Sequence, residues 1–167
     1  KAVEKAEEAP LNPKKAEKAA TWIKLGEAYL KAYSAPVGNV WVGATQQELT
    51  YLGLKPVEIE EFEAGGAYFQ KLVFPEKNIY VSASDGTVAA IEVTKPAVED
   101  ALGKAFEAYK KAYELEPLKA AKDVKAAFQK ISVNYNTEGI GAYALRDMAK
   151  SSAQFEMSAI VSAAEPY

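Results

Sequence analysis

The sequence predicts a mostly α-helical protein with a small antiparallel β-sheet inserted between two of its helices. Apolar residues recur at three- and four-residue steps near both ends of the chain, the period of helices with one buried face. Between Gly38 and Pro96, glycines, β-branched residues and aromatic residues cluster, and the pattern changes toward two-residue alternation. The length of 167 residues fits a single domain over 1–167, with 38–96 as the inserted segment.

The composition excludes several classes of function. The chain has no cysteine and no histidine, which excludes disulfides, zinc and iron–sulfur centres, and serine–histidine or cysteine–histidine catalysis. The net charge of −3 and the isoelectric point near 5.2 provide no basic field for nucleic acid or anionic lipid. No apolar run reaches the roughly eighteen residues of a membrane span. We therefore expect a binding or scaffold protein, not an enzyme, without cofactor or structural metal.

The N-terminal part is predicted to be helical. A stretch rich in Ala, Lys and Glu is interrupted at Pro10 and Pro13. A longer amphipathic helix then starts near Lys15 and ends at Pro36 and Gly38.

The inserted segment predicts one short helix and a three-stranded meander from about Tyr68 to Thr94. Thr45 and Glu48 have the spacing of a capping box at the start of "TQQELTYLGL". The strands are "AYFQKLVF", "NIYVSAS" and "TVAAIEVT". Between the last two strands, Asp85-Gly86 is the signal for a two-residue type I′ turn, in which both central residues take positive φ.

The helical period returns after Pro96. One helix is predicted from Val98 to Leu115 and another from Leu118 to Tyr143. The last is predicted to begin at Asp147, which is placed to cap it, and to end near Ala164.

Two groups of residues on either side of the insertion share a recognisable spacing. They are Trp22, Leu25, Gly26 and Tyr29 before it, and Ala105, Tyr109, Ala112 and Pro117 after it. Together they resemble the tetratricopeptide repeat, a helix–turn–helix unit of about 34 residues. Independently of that resemblance, small residues such as Gly26 and Ala105 let two helices approach closely. We therefore predict that the helix of Trp22 lies beside the helix of Tyr109.

A second, weaker copy of the spacing follows without a gap. Its members are Tyr135, Gly139, Tyr143, Asp147, Met148, Ser151, Phe155 and Ser158. It departs from the pattern at Glu138, where leucine is expected, and at the serines in small-residue positions. Two repeats are fewer than the roughly three that a stable array needs. We therefore expect either part of a longer array or a homo-oligomer formed through the terminal helix.

Three segments are similar to the tetratricopeptide-repeat proteins that Bacteroidetes export, namely "LGEAYLKAY", "GNVWVGAT" and "ALGKAFEAYKKAYELEP". This resemblance implies a non-catalytic module that binds a protein or peptide. It also implies a periplasmic or outer-membrane-associated location.

The same resemblance implies candidate binding residues, because the first helix of each repeat lines the concave face. They are Ile23, Glu27, Leu30 and Lys31 in the first unit, and Asn136, Ile140 and Tyr143 in the second. The mixture suggests a neutral or mildly basic peptide. Glu27 occupies the main asparagine position of family members that clamp a carboxylate, which disfavours that activity. The alternative is that Ile23, Leu30 and Ile140 simply pack against the insertion.

Aromatic residues of the insertion allow further interpretations. Trp41, beside two glycines, is a candidate anchor for a ligand or, alternatively, a plug for the core of the insertion. Tyr68, Phe69 and Tyr80 are a candidate stacking platform, although cross-strand packing explains them equally. A free edge strand would accept a partner's strand.

Acidic residues are abundant in "VEIEEFEAGG", which we interpret as a charged, solvated loop rather than a pair of glycosidase carboxylates. The favoured function is an interaction module. The alternatives are a self-assembling structural unit and, third, a protein that binds carbohydrate or another solute.

Overall fold

A computed structural model describes residues 1–166 of the chain. This part contains seven α-helices, a 3₁₀ turn at Ala9–Leu11 and four β-strands. In chain order the helices and strands are α1 (Ala2–Glu8), α2 (Pro13–Ala16), α3 (Ala19–Ser34), α4 (Gln46–Tyr51), β1 (Glu58–Ala64), β2 (Ala67–Val73), β3 (Lys77–Ser82), β4 (Val88–Val93), α5 (Ala101–Leu115), α6 (Pro117–Ala144) and α7 (Met148–Ala163).

These elements form two compact units, so the protein is mostly α-helical with a small sheet. The helical unit comprises residues 1–34, 97–135 and 156–166, and the sheet unit comprises residues 35–96 and 136–155. Both α6 and α7 contribute residues to each unit. Among the described helices, none combines the length and the apolar character that crossing a membrane requires.

In the helical unit, α3 packs against α5 in antiparallel orientation. The Ala19 amide at the start of α3 donates to Glu116 Oε2, just beyond the end of α5, at 3.1 Å. Near the other end, Lys104 Nζ lies 5.8 Å from the centre of the Tyr29 ring. The predicted pairing of the Trp22 helix with the Tyr109 helix is confirmed.

The core of the helical unit continues from α5 into the first part of α6. The centres of the Phe106 and Phe128 rings are 4.9 Å apart. Phe106 and Phe128 are separated from Glu116 by similar numbers of residues, one before it and one after it. Contact between their rings therefore means that α5 and α6 fold back on each other. Val124 and Ile131 of α6 are fully buried in the same cluster.

The sheet is antiparallel in the order β1-β2-β3-β4, with four strands rather than the three predicted. The three predicted strands correspond to β2, β3 and β4. The additional strand β1 is formed by the acidic segment, for which the prediction of a solvated loop is wrong. Its Glu60 lies opposite Lys71, and Lys71 Nζ is 2.7 Å from Glu60 Oε2. Phe62 lies opposite Phe69. Pairing across the strands therefore accommodates a segment whose charges alone suggested solvation.

The turn between β3 and β4 differs from the type I′ prediction. Of the described non-glycine residues, positive φ occurs only at Asp100 and Arg146, so Asp85 does not adopt it. Instead Asp85 Oδ1 accepts hydrogen bonds from the Thr87 amide at 3.0 Å and the Thr87 hydroxyl at 2.9 Å. This local bonding makes a longer loop, in which Gly86 alone takes a positive φ of 72°.

The sheet unit has apolar side chains on both faces of the sheet. On one face Ile79, Val81 and Val88 form a cluster with Leu49 of α4, and the predicted Thr45–Glu48 capping box starts that helix. On the other face Phe69 and Tyr80 pack with Leu145, which follows the last residue of α6. α7 then begins at the predicted cap, where Asp147 Oδ1 accepts from the Lys150 amide at 3.0 Å.

Candidate functional site

The helical unit contains a solvent-open groove of about 480 Å³. α3 and the first part of α6 supply its sides, and α5 supplies one buried residue. The predicted residues Ile23, Glu27, Leu30 and Lys31 all line it. The remaining lining residues are Ser34, Tyr109, Asp123, Ala126, Ala127 and Lys130.

The spacing of the α3 residues explains why they share this groove. Ile23, Glu27, Leu30 and Lys31 recur at three- and four-residue steps, which places them on one face of the helix. Leu30 is buried and Ile23 is half-buried, and both contact the apolar core of the helical unit. Glu27 and Lys31 are exposed. The groove therefore has an apolar lower wall with charged groups at its rim.

The α6 side of the groove repeats this arrangement. Asp123, Ala126, Ala127 and Lys130 are again separated by three or four residues along one helical face. All except Ala127 are exposed. The two alanines leave room at the centre, where a larger side chain would fill the groove.

The charges of the groove are segregated along its length. α3 and α6 run in the same direction, because each is antiparallel to α5. In both helices a carboxylate precedes a lysine: Glu27 precedes Lys31, and Asp123 precedes Lys130. The two carboxylates therefore lie toward one end of the groove and the two ammonium groups toward the other.

Tyr109 of α5 is only 4% exposed and forms the aromatic part of the groove lining. Burial, together with the negative charges of Glu27 and Asp123, raises the pKa of Tyr109 to about 12. The phenol is therefore neutral at physiological pH.

The three predicted residues of the second unit lie elsewhere. Asn136, Ile140 and Tyr143 belong to the sheet unit and are not part of the groove lining. All three are exposed on one face of α6, with Ile140 at 48% and Tyr143 at 54%. The Arg146 guanidinium lies 5.6 Å from the centre of the Tyr143 ring.

The aromatic residues of the sheet unit divide into two kinds. Trp41 is 46% exposed, whereas its neighbour Val40 is buried in the core, so the interpretation of Trp41 as a core plug is wrong. Tyr68 is 66% exposed, but Phe69 and Tyr80 are buried. The three do not form a stacking platform. Phe69 and Tyr80 instead pack with Phe62 across the strands.

The carboxylate of Glu92 on β4 is held by local hydrogen bonds. Glu92 Oε2 accepts from Asn78 Nδ2 and from the Tyr80 hydroxyl, both at 3.0 Å. Burial and the charge of Glu92 raise the pKa of Tyr80 well above its ordinary value. In residues 1–166, no group of three or more metal-binding side chains of His, Cys, Asp or Glu is brought together.

Sequence reasoning missed the α6 wall of the groove and the contribution of Tyr109. The signal for the wall was present, because Asp123, Ala126, Ala127 and Lys130 have the same spacing as the α3 set. The second copy of the repeat spacing begins only at Tyr135, so the first part of α6 is predicted as a helix without a binding role.

Comparison with known proteins identifies no relative: no protein-family model, no curated protein and no solved structure matches this chain. The tetratricopeptide-repeat assignment therefore stays a prediction from residue spacing.

Proposed function

We propose that the protein is a non-catalytic module that binds an extended peptide segment of a partner protein in the groove between α3 and α6. The observation that carries this proposal is the groove itself, because four residues predicted to contact a ligand line it together.

The composition of the groove supports a peptide as the ligand. Its volume of about 480 Å³ lies within the range of about 300–1,000 Å³ that is typical of binding sites. Apolar residues lie below, and both positive and negative side chains stand at the rim. Such a mixture suits a segment that alternates apolar and polar side chains.

We also propose that α3 and α5 are a tetratricopeptide-like helix pair and that α6 begins the next repeat. The antiparallel α3–α5 packing and the groove on the α3 side support this proposal. The proposed periplasmic or outer-membrane-associated location has no support beyond the sequence resemblance. Fractionation of cells that produce the protein tests the location.

A peptide-display selection against the whole protein tests the proposed function. Selected peptides should bind the wild type and should lose at least about tenfold in affinity for Ala126→Trp, which fills the centre of the groove with an indole. Ala126 is exposed, so the substitution should leave the fold intact. The matched control is Ala159→Trp, at an exposed alanine of α7 outside the groove. Peptides that bind both variants equally would contradict the proposal.

Self-assembly is the second candidate function, and exposed apolar side chains on α6 and α7 favour it. Ile140, Tyr143 and Met148 of the sheet unit are each about half exposed, at 48%, 54% and 48%. Sedimentation velocity over a hundredfold concentration range distinguishes the two candidates. A monomer at every concentration would exclude assembly as the function.

A further inference from the structure

We propose that the groove selects peptides by the order and separation of two opposite charges, with a cationic side chain between Glu27 and Asp123 and a carboxylate between Lys31 and Lys130. This inference rests on the proposed function and specifies the class of peptide.

The four charged side chains are available to a ligand. All are exposed. Within residues 1–166, the salt bridges are made by other residues, although Glu27 and Lys31 are one helical turn apart. A ligand therefore meets two carboxylates and two ammonium groups that have not already neutralised one another.

The separation of the two ends predicts the spacing of charges in the ligand. A helix rises about 1.5 Å per residue, so the step from Glu27 to Lys31 is about 6 Å and that from Asp123 to Lys130 is about 10.5 Å. An extended peptide advances about 3.3 Å per residue. The preferred peptide therefore carries its basic and acidic residues about two or three positions apart.

The centre of the groove indicates what lies between these charges. Ala126 and Ala127 leave space there, and the buried Tyr109 supplies an aromatic surface. An apolar residue between the two charged residues fits this space.

Because the groove has two acidic and two basic rim residues, its net charge does not explain such a preference. Each exposed ion pair is expected to change affinity by about two- to fivefold. The cationic and anionic contacts together should therefore give about tenfold discrimination at low salt, and it should weaken as the salt concentration rises.

Exchanges of charge that keep the composition constant test the proposal. The half exchange E27K/K31E puts opposite charges at each end of the groove and so removes the segregation. The full exchange E27K/K31E/D123K/K130E restores segregation with reversed polarity. The control E107K/K110E exchanges a surface pair of α5 outside the groove.

The probes are fluorescent, acetylated and amidated peptides that contain one lysine, one glutamate and one leucine between them, in both charge orders. The separation of lysine and glutamate is varied from two to six positions by adding serine. We expect the wild type to bind best at two or three positions. The half exchange should weaken that binding at least fivefold, and the full exchange should restore it to within about twofold for one charge order. The control exchange should have no effect.

Thermal melts of all variants establish that loss of binding is not loss of folding. Equal affinity at every separation, or equal loss in the half and full exchanges with both charge orders, would overturn the proposed selectivity. If peptides still lose affinity for Ala126→Trp in that case, peptide binding in the groove stands without charge selectivity. If Ala126→Trp has no effect either, the proposed function fails as well.

Discussion

Gly26 of α3 lies directly against the ring of Tyr109 on α5, so close that a Cβ atom on Gly26 would overlap the ring. The absence of a side chain at Gly26 therefore sets the distance between the two helices. It also fixes the position of Tyr109 in the groove lining.

Replacing Gly26 with valine should lower the free energy of unfolding by about 1–3 kcal/mol, because overpacking forces side chains or backbone to move. Urea denaturation measures the change. In a Tyr109→Ala background the same substitution should have a smaller effect, because the clashing ring is gone. An equal effect in both backgrounds would mean that the ring is not what Gly26 accommodates.

Lys77 is a buried lysine that holds the chain segment after α3. It is 6% exposed, and its Nζ donates to the carbonyl oxygens of Pro36 and Val37, both at 2.9 Å. Lys77→Met keeps the apolar stem but removes both hydrogen bonds, so the free energy of unfolding should fall by about 2–3 kcal/mol. The exposed Lys55 provides the control substitution Lys55→Met. Equal stability of the two variants would show that the hydrogen bonds of Lys77 contribute nothing.

Glu116 links the beginning of α3 to the junction of α5 and α6, and its stabilising effect should depend on pH. Hydrogen bonds from Lys119 and from the Ala19 amide lower the pKa of Glu116 below its ordinary value of 4.5. A carboxyl whose pKa is lower in the folded state stabilises the fold above its ordinary pKa. That stabilisation is lost as the pH falls through the folded value.

Glu116→Gln should therefore be less stable than the wild type at pH 7, and the difference should shrink below pH 4.5. Thermal melts at a series of pH values provide the measurement. Glu114→Gln, which replaces a carboxylate in an exposed ion pair with Lys111, is the control. A stability difference that stays constant from pH 7 to pH 3 would contradict the proposed ionic role of Glu116.

The two tryptophans should differ in their accessibility to a quencher. Trp41 is 46% exposed, whereas Trp22 is half-buried and its Nε1 donates to the Ala16 carbonyl oxygen at 2.8 Å. Trp22→Phe should leave an emission that acrylamide quenches strongly, and Trp41→Phe should leave one that is better protected. The reverse order would contradict the exposed position of Trp41.

The helices and the α3–α5 pairing were predictable because their signals are local or repeat at a fixed period. The sizes of Trp22, Gly26 and Tyr109 and their spacing in the sequence are enough to predict a close helix crossing. Strand β1 was not predictable in this way, because its glutamates suggest solvation until the partner Lys71 is known. The prediction of a type I′ turn at Asp85 is wrong for a related reason. The Asp85 side chain accepts a hydrogen bond from the Thr87 amide, and Asp85 does not adopt the positive φ that Asp-Gly usually indicates.

The α3 wall of the candidate site was predictable, and the rest depends on contacts between segments. The three- and four-residue spacing of the α3 set places its members on one helical face, so the sequence predicts that they line the groove together. This set is Ile23, Glu27, Leu30 and Lys31. The facing wall at Asp123 and Lys130 depends on how α5 and α6 fold back on each other. That arrangement is fixed by contacts such as that between Phe106 and Phe128.

The pairing of α3 with α5 has a consequence for folding kinetics. Residues 35–100 separate the two helices in the chain, so a flexible connection of this length would slow their encounter through the entropy of loop closure. Strand pairing within this segment would shorten the effective connection if it preceded the meeting of the helices. We therefore expect substitutions that weaken the sheet to delay formation of the helical core, even when every residue of the groove is unchanged.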